Sequence, residues 1–332
     1  VFFALRFYVG GLCYNINMEI ASTVALLIVL FYLIGKSADV VISNVKILGV
    51  NLGIRQFWLG LILGVLTSVP ELTVGLQASL ASVGQLSFGN LMGGAVVLLG
   101  LIVGVSVVLD RGLDVAVSFR HRELVIIAAY ISLPLWLMLD GMLSSFDGLM
   151  LVLAYGLSVY YFIRSNSSAY PSIRLERGVS NLKSFWFTVL GLVGVAVVAK
   201  FILDLSLPLI AELNIRPFLA GLLFFSVGTN LPELTLAFRS WQGGARDLSF
   251  GNLVGSAFAN AFIVGLLAFI KPMFLLINAS YYVLMVSLVV LLVSFVALAY
   301  TGRRLSVREG WVLIGLYAMF LVVEVGLKWF SY

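Results

Sequence analysis

The chain has 332 residues, of which 62% are hydrophobic and 11% charged, with a formal net charge of +5 and a mean hydropathy of +1.13. A soluble domain of this length needs far more charge to cover its surface. One Cys (Cys13) and one His (His121) exclude an internal disulfide framework and a zinc site of the His/Cys kind.

Residues 1–17 are apolar and aromatic, with Arg6 among them, and read as a short signal-like segment, an interfacial segment, or sequence upstream of a start at Met18. Ten apolar stretches long enough to cross a bilayer follow: 19–35, 56–80, 86–109, 123–140, 146–163, 184–204, 217–238, 248–270, 280–300 and 310–330. Between 164 and 183 lies a polar loop carrying Asn166, Ser167, Ser168, Pro171 and several Arg residues. The loops sort the cations into two sets. Lys36, Lys46, Arg55, Arg111, Arg120, Arg122, Arg164, Arg174, Arg177, Lys183, Arg239, Arg246, Arg303, Arg304 and Arg308 fall on one side. Arg6, Lys200, Arg216, Lys271 and Lys328 fall on the other. The positive-inside rule makes the first side cytoplasmic, with both termini outside and the 164–183 loop inside. The basic residues are therefore topology signals and not a nucleic-acid surface. The expected class is an all-α, multi-pass protein of the cell membrane.

A second period runs through the chain. Glu233 lies 162 residues after Glu71, and at that offset Thr67-Ser68-Val69-Pro70-Glu71-Leu72-Thr73 faces Thr229-Asn230-Leu231-Pro232-Glu233-Leu234-Thr235. Leu86-Ser87-Phe88-Gly89-Asn90-Leu91 faces Leu248-Ser249-Phe250-Gly251-Asn252-Leu253 without a gap. Apolar similarity alone would not keep Pro, Glu, Gly and Asn in register. The expected organisation is an extracytoplasmic segment 1–18, a five-span unit 19–163, a linker 164–183 and a second five-span unit 184–332. Five is odd, so the second unit enters the membrane from the opposite side, as inverted-repeat transporters do.

The repeated motif has the chemistry of a cation site. Pro70 and Pro232 interrupt their spans, and each is followed by a carboxylate that is costly at mid-bilayer unless used. Thr67 and Thr229 precede Glu71 and Glu233 by four residues, which in a continuous helix shares one face. Ser68 and Asn230 add an oxygen each, and hard cations favour such arrays. Gly89, Gly93, Gly94, Gly251 and Gly255 are expected to let helix backbones approach closely. Asn90 and Asn252 read as braces of helix ends. An intramembrane enzyme is disfavoured, since the spans hold no paired Asp motif and no metal-binding His cluster.

At these residues the sequence resembles the sodium/calcium exchanger family of the calcium:cation antiporter superfamily. The family pattern is close to G-T-S-x-P-E followed by G-N-x-x-G-S-N-x-x-N, once per half. Here the first half reads Leu66-Thr67-Ser68-Val69-Pro70-Glu71 and Gly89-Asn90-Leu91-Met92-Gly93-Gly94-Ala95. The second reads Gly228-Thr229-Asn230-Leu231-Pro232-Glu233 and Gly251-Asn252-Leu253-Val254-Gly255-Ser256-Ala257-Phe258-Ala259-Asn260. The resemblance implies ten helices with ions held between the broken second, third, seventh and eighth. It implies exchange of Ca2+ for Na+ without a cofactor, and metal-ligating roles for Thr67, Ser68, Glu71, Thr229, Glu233, Ser256 and Asn260, to which the amide oxygen of Asn230 is added on its own chemistry. Gly94 stands where the family has Ser, Leu98 where it has Asn, and Asn230 where it has Ser. These departures imply a changed ion set, with protons or another cation as the alternative to sodium. Inorganic cations and the bilayer are the expected partners; the sequence does not set the oligomeric state, and a monomer is compatible with it.

Overall fold

A computed structural model describes residues 2–51, 68–114, 120–165, 181–231, 233, 234, 237, 246–302 and 304–330. The elements in chain order are α1 (Phe2–Asn51), α2 (Val69–Leu80), and α3 (Gly84–Val96), which runs through a π-helical stretch, Val97–Ile102, into α4 (Val103–Leu109). Then come β1 (Leu113–Asp114), α5 (His121–Leu137), β2 (Met142–Leu143), α6 (Ser145–Ser165) and α7 (Asn181–Glu212). A broken helix follows: α8 (Pro217–Ala220), a π-helical stretch Gly221–Phe225, and α9 (Ser226–Thr229). The chain closes with α10 (Arg246–Ile270), β3 (Met273–Phe274), α11 (Ala279–Gly302), β4 (Arg304–Leu305) and α12 (Val307–Phe330).

Eight helical segments among the described residues are long and apolar enough to cross a membrane. The other two expected spans, 56–80 and 217–238, lie partly outside the described residues, and each is represented by a shorter helical piece. Upstream, α1 is helical without interruption from Phe2 to Asn51, so residues 2–17 continue into the first apolar run as one helix. No Pro or Gly–Pro break separates residues 2–17 from the apolar run behind them, so helix propagates through both.

Two segments form the centre. The span Gly84–Leu109 is 83% buried within its apolar window and Phe250–Ile270 is 72% buried, while the other six bury between 22% and 44%. Both are rich in Gly and Ala, whose small side chains let neighbouring helices close in on several sides. Residues Leu86 to Val96 are all buried. At the periphery α1 and α7 run antiparallel. Gly191 and Gly194 of α7 receive Ser37 and Val41 of α1, and Asn51 Nδ2 donates to Asn181 Oδ1 at 2.7 Å.

The packing repeats across the 162-residue offset. β1 pairs antiparallel with β4 and β2 with β3, so the two short ladders exchange when the halves are exchanged. Ser144 and Asp147 cap the start of α6, with Asp147 Oδ2 accepting from Ser144 N at 2.9 Å. Ser306 and Glu309 do the same for α12, with Glu309 Oε2 accepting from Ser306 N at 2.6 Å. A Cβ on Gly148 of α6 would meet Gly265 O of α10 at 2.6 Å, and one on Gly310 of α12 would meet Gly104 O of α4 at 3.0 Å. These are matching glycine contacts at which only hydrogen fits between backbones. Gly148→Val should therefore force α6 from α10. We expect a loss of roughly 1–3 kcal/mol of stability, read as a lowered melting temperature of the detergent-purified protein, whereas Gly156→Ala, with nothing within 4 Å, should leave it unchanged.

Candidate cation site

The helix carrying Glu71 starts at Val69, with Ser68 at its N-cap (φ −91°, ψ 19°) and Pro70 in the first turn. There the missing proline N–H is one that a first turn leaves unpaired in any case. The second half breaks at the equivalent residue: Asn230 ends α9 with φ −88° and ψ 8°. Beyond each break the backbone closes one turn identically, Leu72 N donating to Ser68 O at 2.9 Å and Leu234 N to Asn230 O at 3.1 Å. Ser68 occupies a cap position but its hydroxyl caps nothing. Thr67 and Pro232 lie outside the described residues.

Both glutamates are buried, at 1% exposure each, and lie within electrostatic reach of one another. Thr229, the last residue of α9 before the break, lies beside Glu71 of the other half. Its single hydroxyl proton is directed at Phe225 O (3.0 Å) and Asn90 Oδ1 (3.2 Å). Both carboxylate oxygens of Glu71 and of Glu233 are thus left without a hydrogen-bond donor, as is Ser68 Oγ. Glu71 gains from the first turn of α2, whose free N–H groups favour an anion. That alone does not offset burial of two carboxylates, each of which costs several kcal/mol or more.

The remaining polar groups come from the second half. Asn230 Nδ2 donates to Ser226 O at 2.7 Å and Asn260 Nδ2 approaches Leu91 O at 3.4 Å. With their nitrogens so engaged, Asn230 Oδ1 and Asn260 Oδ1 remain buried with no donor. Ser256 is one turn before Asn260 on α10 and equally buried. Leu98, at the position matching Asn260, is fully buried in the π-helical stretch after α3. Donor-less oxygens on Ser68, Asn230 and Asn260 accompany the two donor-less carboxylates, and oxygens of these kinds suit a hard cation. Among the described residues no group of three or more His, Cys, Asp or Glu side chains forms a metal cluster, so any ion here depends on hydroxyl and amide oxygens as well.

The glycine expectations divide. Gly89 and Gly93 abut the backbone of the Pro217–Phe225 stretch, where a Cβ on Gly93 would meet Leu222 O at 2.6 Å. Gly94 faces side chains instead, and nothing among the described residues lies within 4 Å of a Cβ on Gly255. The segment that would mirror Leu222 in the first half falls in 52–67, outside the described residues. Asn90, read from sequence as a helix brace, instead ties the two halves together through Thr229. Its recurrence as Asn252 was the available signal.

This is the architecture of a membrane-embedded ion carrier. The sequence profile described as sodium/calcium exchanger protein matches residues 22–164 and 183–326, and the chain belongs to that family. It is 28% identical over 260 residues to inner membrane protein YrbG of Escherichia coli, covering 75% of this chain and 80% of that protein. It is 24% identical over 345 residues to the sodium/calcium exchanger MaX1 of Methanosarcina acetivorans, covering 90% and 97%. Among solved structures, it is similar to the sodium-calcium exchanger NCX_Mj (TM-score 0.62, 21% identity, 92% of this chain and 98% of that one). The H+/Ca2+ exchanger CAX matches with a TM-score of 0.69 at 16% identity over 96% and 90%. At these identities the two structures carry the fold alone. The protein is a multi-pass membrane protein of a cation-exchanger family.

Proposed function

We propose that the chain is a secondary active antiporter that exchanges Ca2+ for Na+ by alternating access at a mid-membrane site centred on Glu71 and Glu233. Ser68, Asn230, Asn260 and Ser256 supply further oxygens, and Thr67 and Thr229 flank the carboxylates. The frame is ten transmembrane helices in two inverted five-helix repeats, 19–163 and 184–332, with both termini extracytoplasmic and the 164–183 linker cytoplasmic. The single observation that carries this reading is the pair of helix breaks at Ser68 and Asn230, each three residues before a buried, donor-less glutamate. The exchanged ladders, the matched caps and the two separate stretches of family similarity support the repeat.

Transport follows from the same groups. Two carboxylates without donors are costly to carry across a low-dielectric passage uncompensated, so the site crosses loaded and exchange results. A second reading, Ca2+ against H+, draws on the match to CAX and on the loss of ligand oxygens at Gly94 and Leu98. Proteoliposomes separate the two. Calcium uptake driven by an outward sodium gradient at equal pH supports sodium coupling, uptake driven only by an outward proton gradient supports the alternative, and uptake under neither rejects both.

A further inference from the structure

A groove between α5 and α11 lies outside the candidate cation site. Its volume is about 580 Å³, and Ala128, Ala129 and Ser132 of α5 line it with Val293 and Ala297 of α11. Ser132 Oγ donates to Ala129 O at 2.8 Å, so its hydroxyl is spent within α5. A second hollow of about 430 Å³ continues the groove, sharing Val125 and Tyr300 with it. Its lining is polar by contrast, with His121, Arg122, Tyr161 and Tyr300.

The length of the groove is that of one leaflet. On α11 it runs from Tyr300, near the helix end, back to Val289 in the middle of the helix. At 1.5 Å per residue that is about 16 Å, or half of a hydrocarbon core roughly 30 Å thick. The polar end is not inherited from the repeat. At the 162-residue offset the counterparts of His121 and Arg122 are Val283 and Leu284. Those of Tyr161 and Tyr300 are Val323 and Met138. The positive-inside pattern accounts for a cation at a helix end. It does not account for two tyrosines beside that cation, or for an apolar slot leading away from it. The rings of His121 and Tyr300 lie 4.6 Å apart and join α5 to α11 at the mouth. Glu123, the neighbouring acid, is buried, and its Oε2 accepts from Arg120 N at 2.9 Å in the helix cap.

We propose that this groove binds one anionic phospholipid of the bilayer. Arg122 and His121 hold the headgroup phosphate at the mouth, which Tyr161 and Tyr300 line, and an acyl chain lies in the slot between α5 and α11. Both helices are fastened to α10. Tyr130 of α5 packs on Phe258 with ring centroids 4.8 Å apart, and Phe295 of α11 on Phe250 at 5.9 Å. α10 also carries Ser256 and Asn260. The lipid thus ties together two supports of the helix that serves the candidate cation site, and it stabilises the folded chain.

The test uses the full chain, purified in detergent, delipidated, and mixed with phosphatidylglycerol and phosphatidylcholine of identical acyl chains. Native mass spectrometry should show one phosphatidylglycerol retained with at least about tenfold preference, and that lipid should raise the melting temperature more than phosphatidylcholine does. Arg122 is exposed, so Arg122→Gln should fold, and it should cut the preference about fivefold, the worth of one cation at a lipid headgroup. Ala297→Phe fills the slot and should weaken retention of either lipid. Arg308→Gln removes a cation exposed at the start of α12, outside the groove, and should change neither readout. Glycerol phosphate, which has the phosphate without the chains, should not raise the melting temperature. Three results overturn the proposal: no preference in the wild type, equal losses from Arg122→Gln and Arg308→Gln, or protection by glycerol phosphate equal to that by the lipid. If Ala297→Phe does not fold, Arg122→Gln and the glycerol phosphate arm decide.

Discussion

Glu71→Gln and Glu233→Gln, each alone, should reduce calcium flux at least about a hundredfold while the protein still purifies as a folded species. Gln keeps the shape of Glu and removes its charge, so the packing around residues 71 and 233 survives, both being buried at 1% exposure. The wild-type site holds four carboxylate oxygens without a donor, a penalty that the variants partly relieve. In the absence of cation the variants should therefore melt no lower than the wild type. With calcium present the order should change. A ligand at a hundred times its dissociation constant stabilises by about 2.7 kcal/mol, and that increment should be present in the wild type and missing from both variants. Wild-type flux from either variant would remove the glutamate pair from the mechanism. Low melting without cation would make the glutamates structural.

Gly93→Val should abolish both folding yield and transport. Gly93 meets the backbone of Leu222, and on the reverse side of the same crossing a Cβ on Gly221 would meet Asn90 N at 2.8 Å. Backbone atoms cannot swing aside as a side-chain tip can, so the two helices must separate, at more than the roughly 1–3 kcal/mol of ordinary overpacking. Separation also breaks the Thr229–Asn90 bond that joins the halves beside Glu71. The expected readout is aggregation in size-exclusion chromatography. A monodisperse, active Gly93→Val protein would contradict the close crossing. Gly255→Ala, which meets nothing among the described residues within 4 Å, is the control.

How much of this could be read before the structure depends on the range of the interaction. The repeat was legible because Pro, Glu, Gly and Asn recur at a fixed offset against an apolar background. Both glutamates stood out by the cost of a charge in lipid, and both are buried. The nearness of Thr229 to Glu71 was not legible, because it joins residues of opposite halves that no local spacing relates. The continuous α1 was not foreseen, since span-finding by hydropathy stops where apolar density falls and helix formation does not. Gly94 had looked like a simple loss of a ligand. Its closeness to the amide nitrogens of Asn230 and Asn260, residues more than a hundred positions away, could not be read from the sequence.

The most direct measurement of the central claim is anomalous diffraction from crystals of the full chain grown with calcium or strontium. The account predicts one strong peak between the carboxylates of Glu71 and Glu233, within ligand distance of both, that disappears in Glu233→Gln crystals. A peak bound elsewhere in the membrane region, or none between the two glutamates in a preparation that transports calcium, would contradict it.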